Sequence, residues 1–561
     1  MSRRPQRAPV GGPPFRFIPL GGMGEIGKNL YVYEYGDEII LVDCGLAFPD
    51  ETTLGVDIII PDVTYLRERK RQMKAVVITH AHEDHIGALP HILPEFPGVP
   101  VYASTLARGL LANKLKEAKV SANPLRKLDP GDRLELGVFT IEPFRVGHSI
   151  PDAMGLAIHT PVGTVVHTGD FKFDQTPVDG RGTDFDILAR LGAEGVIALV
   201  SDSTRAEVPG YTPSERVVGE TFRGIMSEAQ GRVIVATFAS NIARIQQVID
   251  AAEALGRRVA VVGRSMEQNS KIAQELGYLT LKRPFISKEE IARRVKEPLV
   301  IATTGAQGEP MAGLAKMGNA EHRNVEIQLG DTVIVSASPI PGNEEAVGRT
   351  IDNLFRSGAN VIYHSIAPVH VSGHASREEL KMMISLTKPK NFVPMHGEMR
   401  MQVAHGRLAT EMGVSPQNVF ITGNGVPIEF HADGSARRRP AIAHGQVFVD
   451  GSSVGEISEV VLRDRRTLAD DGIVVVVASI DRKSGRPIGR PALVTRGFLN
   501  GDEDNKLVEQ AIEITLRALQ AKGDRSSEPA LIKAQISEAV SRFLHRETRR
   551  RPLVVPVVVE V

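Results

Sequence analysis

Cysteine is nearly missing from the sequence, since Cys44 is the one cysteine among 561 residues. A single thiol excludes an internal disulfide, and low cysteine usage is typical of proteins that work in a reducing cytoplasm. Cys44 lies within the apolar run of residues 41–45, so we expect it to be a small buried side chain. These features predict a cytoplasmic protein.

Long apolar runs are missing as well. No stretch of 18 or more residues is continuously apolar, which argues against a membrane-spanning helix. Residues 1–7 carry three arginines but lack the apolar core of a secretory signal. We therefore expect residues 1–14 to form a disordered basic tail, and we expect no contact with membranes.

The chain has no excess of either charge, because 67 basic residues balance 67 acidic ones. A generic nucleic-acid-binding protein is expected to be basic, so any RNA-binding groove must be a local patch. Basic clusters occur at residues 67–71, at residues 126–127 and at Lys114, Lys116 and Lys119. Each cluster alone is more typical of a solvated helix face than of a binding site.

Histidine, in contrast, is concentrated at one place. His80, His82, Asp84 and His85 form an H-x-H-x-D-H motif, whose histidine spacing is expected by chance only about 0.01 times in a chain with 16 histidines. The β-branched run of residues 75–79 predicts a buried strand, so the motif lies on a loop at the carboxyl end of that strand. Imidazole and carboxylate ligands suit zinc or manganese, and the motif therefore predicts a metal site.

One loop cannot complete such a site, because each ion needs four or more ligands. His148, Asp170 and His396 each follow a strand-like run and are the candidates for the remaining ligands. Taken alone, His148 is equally well explained as an ordinary loop histidine.

The secondary-structure signals divide the chain into regions. Residues 15–200 contain short apolar runs separated by glycine and proline, which predicts two packed sheets with helices outside, an αββα sandwich. From about residue 214, strand and helix patterns alternate, which predicts a doubly wound parallel sheet. We predict a tail (1–14), a first domain in two parts (15–213 and 372–431), an inserted domain (214–371), a polar linker (432–462) and a small C-terminal α+β domain (463–561).

The order of the motifs along the chain is itself informative. It resembles that of the metallo-β-lactamase superfamily, in which H-x-H-x-D-H is followed by a lone histidine, an aspartate after a strand and a distant histidine. Two further motifs, residues 199–204 around Asp202 and residues 370–376 around His374, narrow the resemblance to the β-CASP nucleases and, within them, to the ribonuclease J family. The resemblance covers nearly the whole chain. It implies an α/β protein made of a metallo-β-lactamase αββα sandwich, an inserted β-CASP domain that clamps nucleic acid, and a C-terminal domain that supports dimerisation.

The resemblance also implies two divalent metal ions, zinc by preference, with Mn²⁺ or Mg²⁺ as alternative activators. Ions of this kind activate water and neutralise charge on a scissile phosphate. The implied ligands of one ion are His80, His82, His148 and Asp170; those of the other are Asp84, His85, Asp170 and His396.

Two residues are expected to be catalytic without binding metal. The resemblance makes His374 a proton donor to the leaving oxygen and Asp202 the carboxylate that orients it. Asp84 is predicted to be catalytic as well as a ligand. From the residues alone, Asp202 equally suits a turn or a helix cap. His91, His159, His167, His322, His364 and His405 are expected to be structural.

A pocket for a 5′-terminal monophosphate is the remaining site that the resemblance implies. Its expected lining residues are Ser240, Asn241, His370, Ser372, Gly373 and His374. Backbone amides at a helix start bind phosphate well, and residues 238–244 open a predicted helix. The alternative is that Ser240 simply caps that helix.

The predicted function is that of a metal-dependent ribonuclease, a 5′-to-3′ exonuclease with additional endonuclease activity, in mRNA decay and rRNA maturation. Its expected substrate is single-stranded RNA with a 5′-monophosphate. We also expect a homodimer, with a tetramer as the alternative, and binding to proteins of an RNA-decay complex. Three rivals are a DNA-directed β-CASP nuclease, a small-molecule metallohydrolase and an inactive RNA-binding subunit. His396 argues against the first, the inserted domain against the second, and the complete ligand set against the third.

Overall fold

A computed structural model describes residues 12–50, 53–293, 298–306, 312–339, 343–451, 453–482, 486–499, 505–520 and 529–561. The chain divides into two compact units, Met1–Phe48 with Ile59–Val447 and Pro49–Ile58 with Phe448–Val561. Most of the predicted disordered tail, residues 1–11, lies outside the described residues. In the described part of the chain, no helix combines the length and apolarity that a membrane crossing requires.

The first stretch, residues 15–202, is rich in short strands. These are β1 (Phe15–Gly21), β2 (Leu30–Tyr35), β3 (Glu38–Val42), β4 (Ile58–Pro61), β5 (Met73–Val77), β6 (Val101–Ala103), β7 (Leu125–Lys127), β8 (Leu134–Leu136), β9 (Phe139–Arg145), β10 (Met154–His159), β11 (Thr164–His167) and β12 (Val196–Asp202). The helices are α1 (Thr64–Arg67), α2 (Glu83–Ile86), α3 (Leu89–Ile92), α4 (Thr105–Glu117) and α5 (Phe185–Glu194).

The inserted stretch alternates strand and helix. Its elements are α6 (Arg216–Glu228), β13 (Val233–Ala236), α7 (Ile242–Ala254), β14 (Val259–Val262), α8 (Arg264–Glu275), α9 (Lys288–Arg293), β15 (Val300–Thr303), α10 (Gly313–Gly318), β16 (Thr332–Val335), α11 (Glu344–Arg356) and β17 (Asn360–Tyr363). The five strands run parallel in the order β14-β15-β13-β16-β17. Because β13, β14, β15 and β16 are buried on both faces, their sequences are mainly apolar runs such as Val-Ile-Val-Ala, whereas the edge strand β17 is only partly buried. The parallel sheet predicted from the alternation is confirmed.

The chain then returns to the first domain. The returning elements are α12 (Arg377–Thr387), β18 (Asn391–Met395), α13 (Met399–Glu411), β19 (Ile428–Phe430) and β20 (Ala436–Arg438). β18 joins the edge of a six-stranded sheet, β18-β12-β11-β10-β9-β8, and β19 and β20 join an eight-stranded sheet, β20-β19-β1-β2-β3-β5-β6-β7.

The two sheets pack face to face, as an αββα sandwich requires. Aromatic side chains of the eight-stranded sheet meet apolar side chains of the six-stranded sheet in one core, where Phe15 lies 6.4 Å from Phe139 between ring centroids. Helices α5, α12 and α13 cover the other face of the six-stranded sheet. This arrangement brings the carboxyl ends of β5, β12 and β18 to one edge, where polar loops meet.

The second unit forms its own small core. Its elements are β21 (Gln446–Asp450), β22 (Ser453–Val454), α14 (Glu459–Asp471), β23 (Ile473–Ile480), β24 (Pro487–Arg496), α15 (Asn505–Gln520), α16 (Pro529–Thr548) and β25 (Leu553–Glu560). β23 pairs antiparallel with β24 and parallel with β25, and α15 and α16 cover one face of this sheet.

The predicted linker, residues 432–462, departs from its expected irregular structure. It contains β20, β21, β22 and the first turn of α14, and β20 pairs with β19 of the sandwich. The polar composition of β20 resembles that of a linker, because β20 is an edge strand that exposes most of its side chains. The predicted domain limits, including those of the linker, stay predictions.

Candidate metal centre

The H-x-H-x-D-H motif follows β5, as expected, with His80 and His82 in the loop and Asp84 and His85 in the short helix α2. A buried carboxylate, Asp43, holds this loop. Asp43 accepts hydrogen bonds of 2.8 Å from the backbone N–H and the hydroxyl of Thr79, and one of 2.7 Å from Nδ1–H of His85. Its backbone is left-handed, with φ of 62°, because β3 must turn sharply at this point. Asp43 therefore fixes both the loop and the ring of His85.

Three histidines converge at one side of the centre. Nε2 of His80 lies 3.0 Å from Nδ1 of His82, which lies 3.1 Å from Nε2 of His148. Ligands bound 2.0–2.1 Å from a tetrahedral zinc ion lie about 3.3 Å apart, so this spacing fits a shared ion.

Asp84, His85, Asp170 and His396 form a second group beside the first. Nε2 of His85 lies 3.1 Å from Oδ2 of Asp170, and Nε2 of His396 lies 3.1 Å from Oδ2 of Asp84. These distances match the ligand spacing of one ion, as those of the first group do.

Asp170 stands between the two groups. Its Oδ2 lies within 3.1–3.9 Å of ring nitrogens of four histidines, His80, His85, His148 and His396. Its Oδ1 is buried and has no hydrogen-bond partner among the described residues. A buried carboxylate oxygen without a partner is costly, so the donor set fits a carboxylate shared by two metal ions.

The outer nitrogens of the rings are held by hydrogen bonds. Nδ1–H of His148 donates to the carbonyl of Gly373 over 2.8 Å. Nδ1–H of His396 donates over 2.8 Å to the hydroxyl of Thr204, which donates over 2.7 Å to Asp202. Such contacts select the tautomer that leaves Nε2 free for a metal ion.

The electrostatics differ between the two groups. Burial, reinforced by neighbouring histidines, lowers the pKa of His80 and His148, and burial lowers the pKa of His82 to about 4. Burial also works to lower the pKa of His396, but Asp170, Asp202 and Asp84 outweigh it and raise the value to about 10. The first group is therefore neutral at pH 7, whereas the second is rich in opposite charges.

The left-handed backbone of His396, with φ of 46°, turns its ring toward the motif loop. Its N–H donates to the carbonyl of Gly22, and the next residue, Gly397, pairs with Glu25. The glycine-rich stretch of residues 21–27 thus supports the loop that carries His396.

Asp202 and His374 form a pair beside the second group. Nδ1–H of His374 donates to Oδ2 of Asp202 over 2.8 Å, and Oδ1 of Asp202 accepts from the backbone N–H of Thr204. Burial works to raise the pKa of Asp202, but His374 and His396 outweigh it and lower the value. The buried carboxylate is therefore ionised.

The position of His374 follows from the start of α12. Ser376 and Glu379 form a capping box, and the hydroxyl of Thr212 donates to the carbonyl of His374 over 2.8 Å. Asp170, Asp202, His374 and His396 also lie close enough to hold an ion, so the geometry alone leaves His374 two roles.

Two of the residues predicted to bind a terminal phosphate make local hydrogen bonds. The cap of α7 is Asn241, whose Oδ1 accepts from the N–H of Arg244 over 3.0 Å, and not Ser240. The hydroxyl of Ser372 accepts from the N–H of His374 over 3.1 Å. The binding roles of these residues stay predictions.

Sequence reasoning missed the supporting residues Asp43, Thr79 and Thr204. Of these, Asp43 carried a signal, because a carboxylate at the end of an apolar strand is unusual. The histidines expected to be structural include His167 and His405, which are buried against Tyr33 and Ser203 respectively.

Comparison with known protein families extends these observations. Residues 23–206 match the metallo-beta-lactamase superfamily, residues 230–354 match the ribonuclease J beta-CASP domain, residues 358–421 match the Zn-dependent metallo-hydrolase RNA specificity domain, and residues 460–561 match the ribonuclease J C-terminal domain.

Characterised relatives match over nearly their whole length. The chain is similar to ribonuclease J of Thermus thermophilus, at 45% identity over 99% of this chain and 97% of that protein. It is also similar to ribonuclease J2 of Bacillus subtilis, at 42% identity over 97% of this chain and 98% of that protein. Ribonuclease J of Mycolicibacterium smegmatis is 42% identical over 99% of each chain.

A solved structure shows likeness of fold alone. It is a protein of unknown function from Enterococcus faecalis V583, with a TM-score of 0.52 and 16% identity, covering 74% of this chain and 100% of that one.

Proposed function

The chain belongs to the ribonuclease J family of metal-dependent ribonucleases, and on that premise we propose that it degrades RNA from a 5′-monophosphorylated end in the 5′-to-3′ direction. The proposal includes additional internal cleavage and roles in mRNA decay and rRNA maturation. The observation that carries it is the convergence of seven histidine and aspartate side chains beside the Asp202–His374 pair.

The chain binds divalent metal ions, as its superfamily and its His/Asp groups indicate. We propose two zinc ions. His80, His82 and His148 would hold one, Asp84, His85 and His396 would hold the other, and Asp170 would be shared. When bound, two such ions activate water for attack on phosphorus and offset the charge of the phosphate.

The protein's own side chains supply the proton transfer. The proposal gives His374 the role of donating a proton to the leaving oxygen, and Asp202 the role of keeping its ring oriented through the 2.8 Å hydrogen bond.

Recognition of the 5′ end is assigned to the N-terminus of α7 and the segment of residues 370–374. A helix start offers backbone amides to a phosphate. Three cationic side chains lie around His370, namely Arg244, Lys172 and Arg205, which supports an anionic ligand there.

A DNA-directed nuclease and a small-molecule hydrolase are the weaker alternatives. The similar proteins are called ribonucleases, and the inserted five-stranded domain beside the metal centre suits a polymer better than a small substrate. We also propose a cytoplasmic location, which fits an RNA substrate and the lone cysteine.

The C-terminal domain is proposed to hold a homodimer together, with a tetramer as the alternative. One face of its sheet packs on α15 and α16, while the other face presents valines, of which Val494, Val555, Val557 and Val559 are exposed. A contiguous apolar sheet face in water is typical of an interface. Proteins of an RNA-decay complex remain further proposed partners.

The deciding experiment is digestion of RNA with a labelled 5′ end that is monophosphorylated, triphosphorylated or unphosphorylated, with metal analysis of the same sample. Rapid loss of the monophosphorylated RNA, with release of nucleoside monophosphates, is expected. Equal rates on all three ends would contradict the exonuclease proposal, and equal rates on DNA would favour the first rival.

A further inference from the structure

Arg244, on α7 of the inserted domain, is completely buried. Its Nε–H donates to Oε1 of Glu215 over 2.5 Å, and Nη1–H donates to the carbonyl and the hydroxyl of Ser336 over 3.1 and 2.8 Å. The other terminal nitrogen, Nη2, is buried without a hydrogen-bond partner among the described residues. Burying a guanidinium is expensive even when it is paired, so stability alone is a poor reason for Arg244.

The same arginine contacts His370. Nη1 of Arg244 lies 3.2 Å from Nδ1 of His370. A guanidinium can only donate, so Nδ1 of the ring must be the acceptor, and its proton must be on Nε2. The hydroxyl of Ser336 donates to the carbonyl of Val369, so the same cluster also fixes the backbone next to the ring.

The charges around His370 come from four elements. Arg244 lies on α7, Lys172 follows β11, Arg205 follows β12 and His364 follows β17. The carboxylates near them are already paired, Glu215 with Arg244 and Asp174 with Lys172. Burial, followed by these cations, lowers the pKa of His370 to about 3, so the ring stays neutral between pH 5 and 8.

We infer that Arg244 is a positioning residue for RNA, one that holds His370 in the single tautomer able to donate a hydrogen bond from Nε2 to a substrate phosphate. Nε2 has no partner among the described residues, and the ring is partly exposed. A neutral donor of this kind keeps the same charge between pH 5 and 8. The inference rests on the proposed recognition of a 5′-phosphate.

The test compares Arg244→Met with the wild-type protein on 5′-monophosphorylated and 5′-hydroxyl RNA from pH 5.5 to 8. The end preference, the ratio of the two kcat/KM values, should fall about tenfold at pH 8, because a hydrogen bond to a charged group is lost or misdirected. The loss should be smaller toward pH 5.5, because removing Arg244 raises the pKa of His370 and favours its protonated, donating form. The substrate phosphate also ionises in this range, which affects the variant and the wild-type protein alike. The end preference of the variant is therefore divided by that of the wild type at each pH, and this quotient is plotted.

Arg232→Met is the matched control. Arg232 is a second buried arginine of the inserted domain and directly precedes β13. It pairs over 2.5 Å with Asp331, which directly precedes β16 at the amino ends of the strands. Both variants should lose stability, but the quotient for Arg232→Met should not depend on pH. If the quotient for Arg244→Met does not change with pH and its end preference equals that of the wild type, the inference is overturned while the proposed function still stands. No end preference in the wild type would instead overturn the proposed function.

A measurement on the unmodified enzyme decides the case if Arg244→Met does not fold. Histidine labelled with ¹⁵N distinguishes the two neutral tautomers, and His370→Gln identifies the signal of His370. We expect Nε2 to carry the proton with no titration between pH 5.5 and 8. A proton on Nδ1, or a titration in that range, would rule out the positioning role.

Discussion

The carbonyl oxygen of Gly373 accepts a 2.8 Å hydrogen bond from Nδ1–H of His148, a residue 225 positions earlier in the chain. Gly373, in the segment just before α12, thereby orients His148, one of the candidate metal ligands in the first half of the chain. The contact also leaves no room at Gly373, because a Cβ there would lie 2.8 Å from the His148 ring.

Gly373→Ala should therefore displace His148 and weaken metal binding about 10–100-fold, the usual effect of losing such a supporting contact. Metal titration with an indicator dye measures the change. Gly348→Ala is the control, because a Cβ at Gly348 meets nothing within 4 Å. Equal affinities of the two variants would show that His148 does not depend on this contact.

Asp170→Ala should abolish RNA hydrolysis and remove both ions, because its carboxylate lies against histidines of both groups. His80→Ala should reduce hydrolysis and lower the content of one ion more than the other. Metal analysis beside an RNA digestion assay, with circular dichroism to verify folding, checks both variants. Full activity of Asp170→Ala would rule out the two-metal proposal.

His374→Ala should retain metal and RNA binding but lose about 10²–10⁴-fold in the rate of hydrolysis, the usual contribution of a positioned acid or base. Asp202→Asn should act in the same direction, since it removes the charge that orients His374. Single-turnover kinetics with metal analysis of each protein test this. Release of metal from His374→Ala would instead make His374 a ligand.

Removing side-chain hydrogen bonds in the predicted phosphate pocket, with Ser372→Ala and Asn241→Ala together, should erode the preference for 5′-monophosphorylated over 5′-triphosphorylated RNA. Internal cleavage should change less, since it does not use the terminal phosphate. The loss of the α7 cap should also cost about 1 kcal/mol of stability.

Ser458→Ala separates the two effects, because Ser458 caps α14 in the second unit. Initial rates on the two 5′ ends, beside thermal melts, are compared for both proteins. If the pocket variant melts earlier but keeps its end preference, Asn241 and Ser372 serve only the fold.

Glu429 gives a pH-dependent prediction about stability. It lies between Arg16 and Arg437 on neighbouring strands and accepts hydrogen bonds of 2.9–3.0 Å from both. Burial works to raise its pKa, but the two arginines outweigh it and lower the value. A carboxyl with a lowered folded-state pKa stabilises the protein above its ordinary pKa, and the effect is lost as the pH falls through the lowered value.

Glu429→Gln should therefore melt about 1–2 °C below the wild type at pH 7, with the difference shrinking below pH of about 4.3. Glu68→Gln is the control, because Glu68 is exposed and its ion pair with Arg69 should contribute little. A difference that persists unchanged at pH 3 would contradict the assigned cause.

The sequence allowed the candidate ligands to be found because all of them follow strands. His80, Asp170 and His396 come after apolar runs that are easy to recognise, and the carboxyl ends of neighbouring strands meet at one edge of each sheet. The parallel sheet was predictable for the same reason, since its strands are continuous apolar runs.

The supporting contacts were not predictable in the same way. Asp43 and Thr204 act through hydrogen bonds to His85 and His396, and such bonds depend on how distant segments pack rather than on local pattern. β20 was missed because it is an edge strand whose polar side chains resemble a linker in composition, whereas β21 carried a signal in its apolar Val-Phe-Val run.

The position of His396 in the chain has a consequence for biosynthesis. β18, which ends beside His396, pairs with β12, so the second group of side chains is complete only after about seven-tenths of the chain has been made. At about 5–20 residues per second, translation leaves the nascent protein without this histidine for many seconds. With His396 in its proposed role as a metal ligand, a ribonuclease built in this order cannot cut the messenger from which it is being translated until most of that messenger has been read.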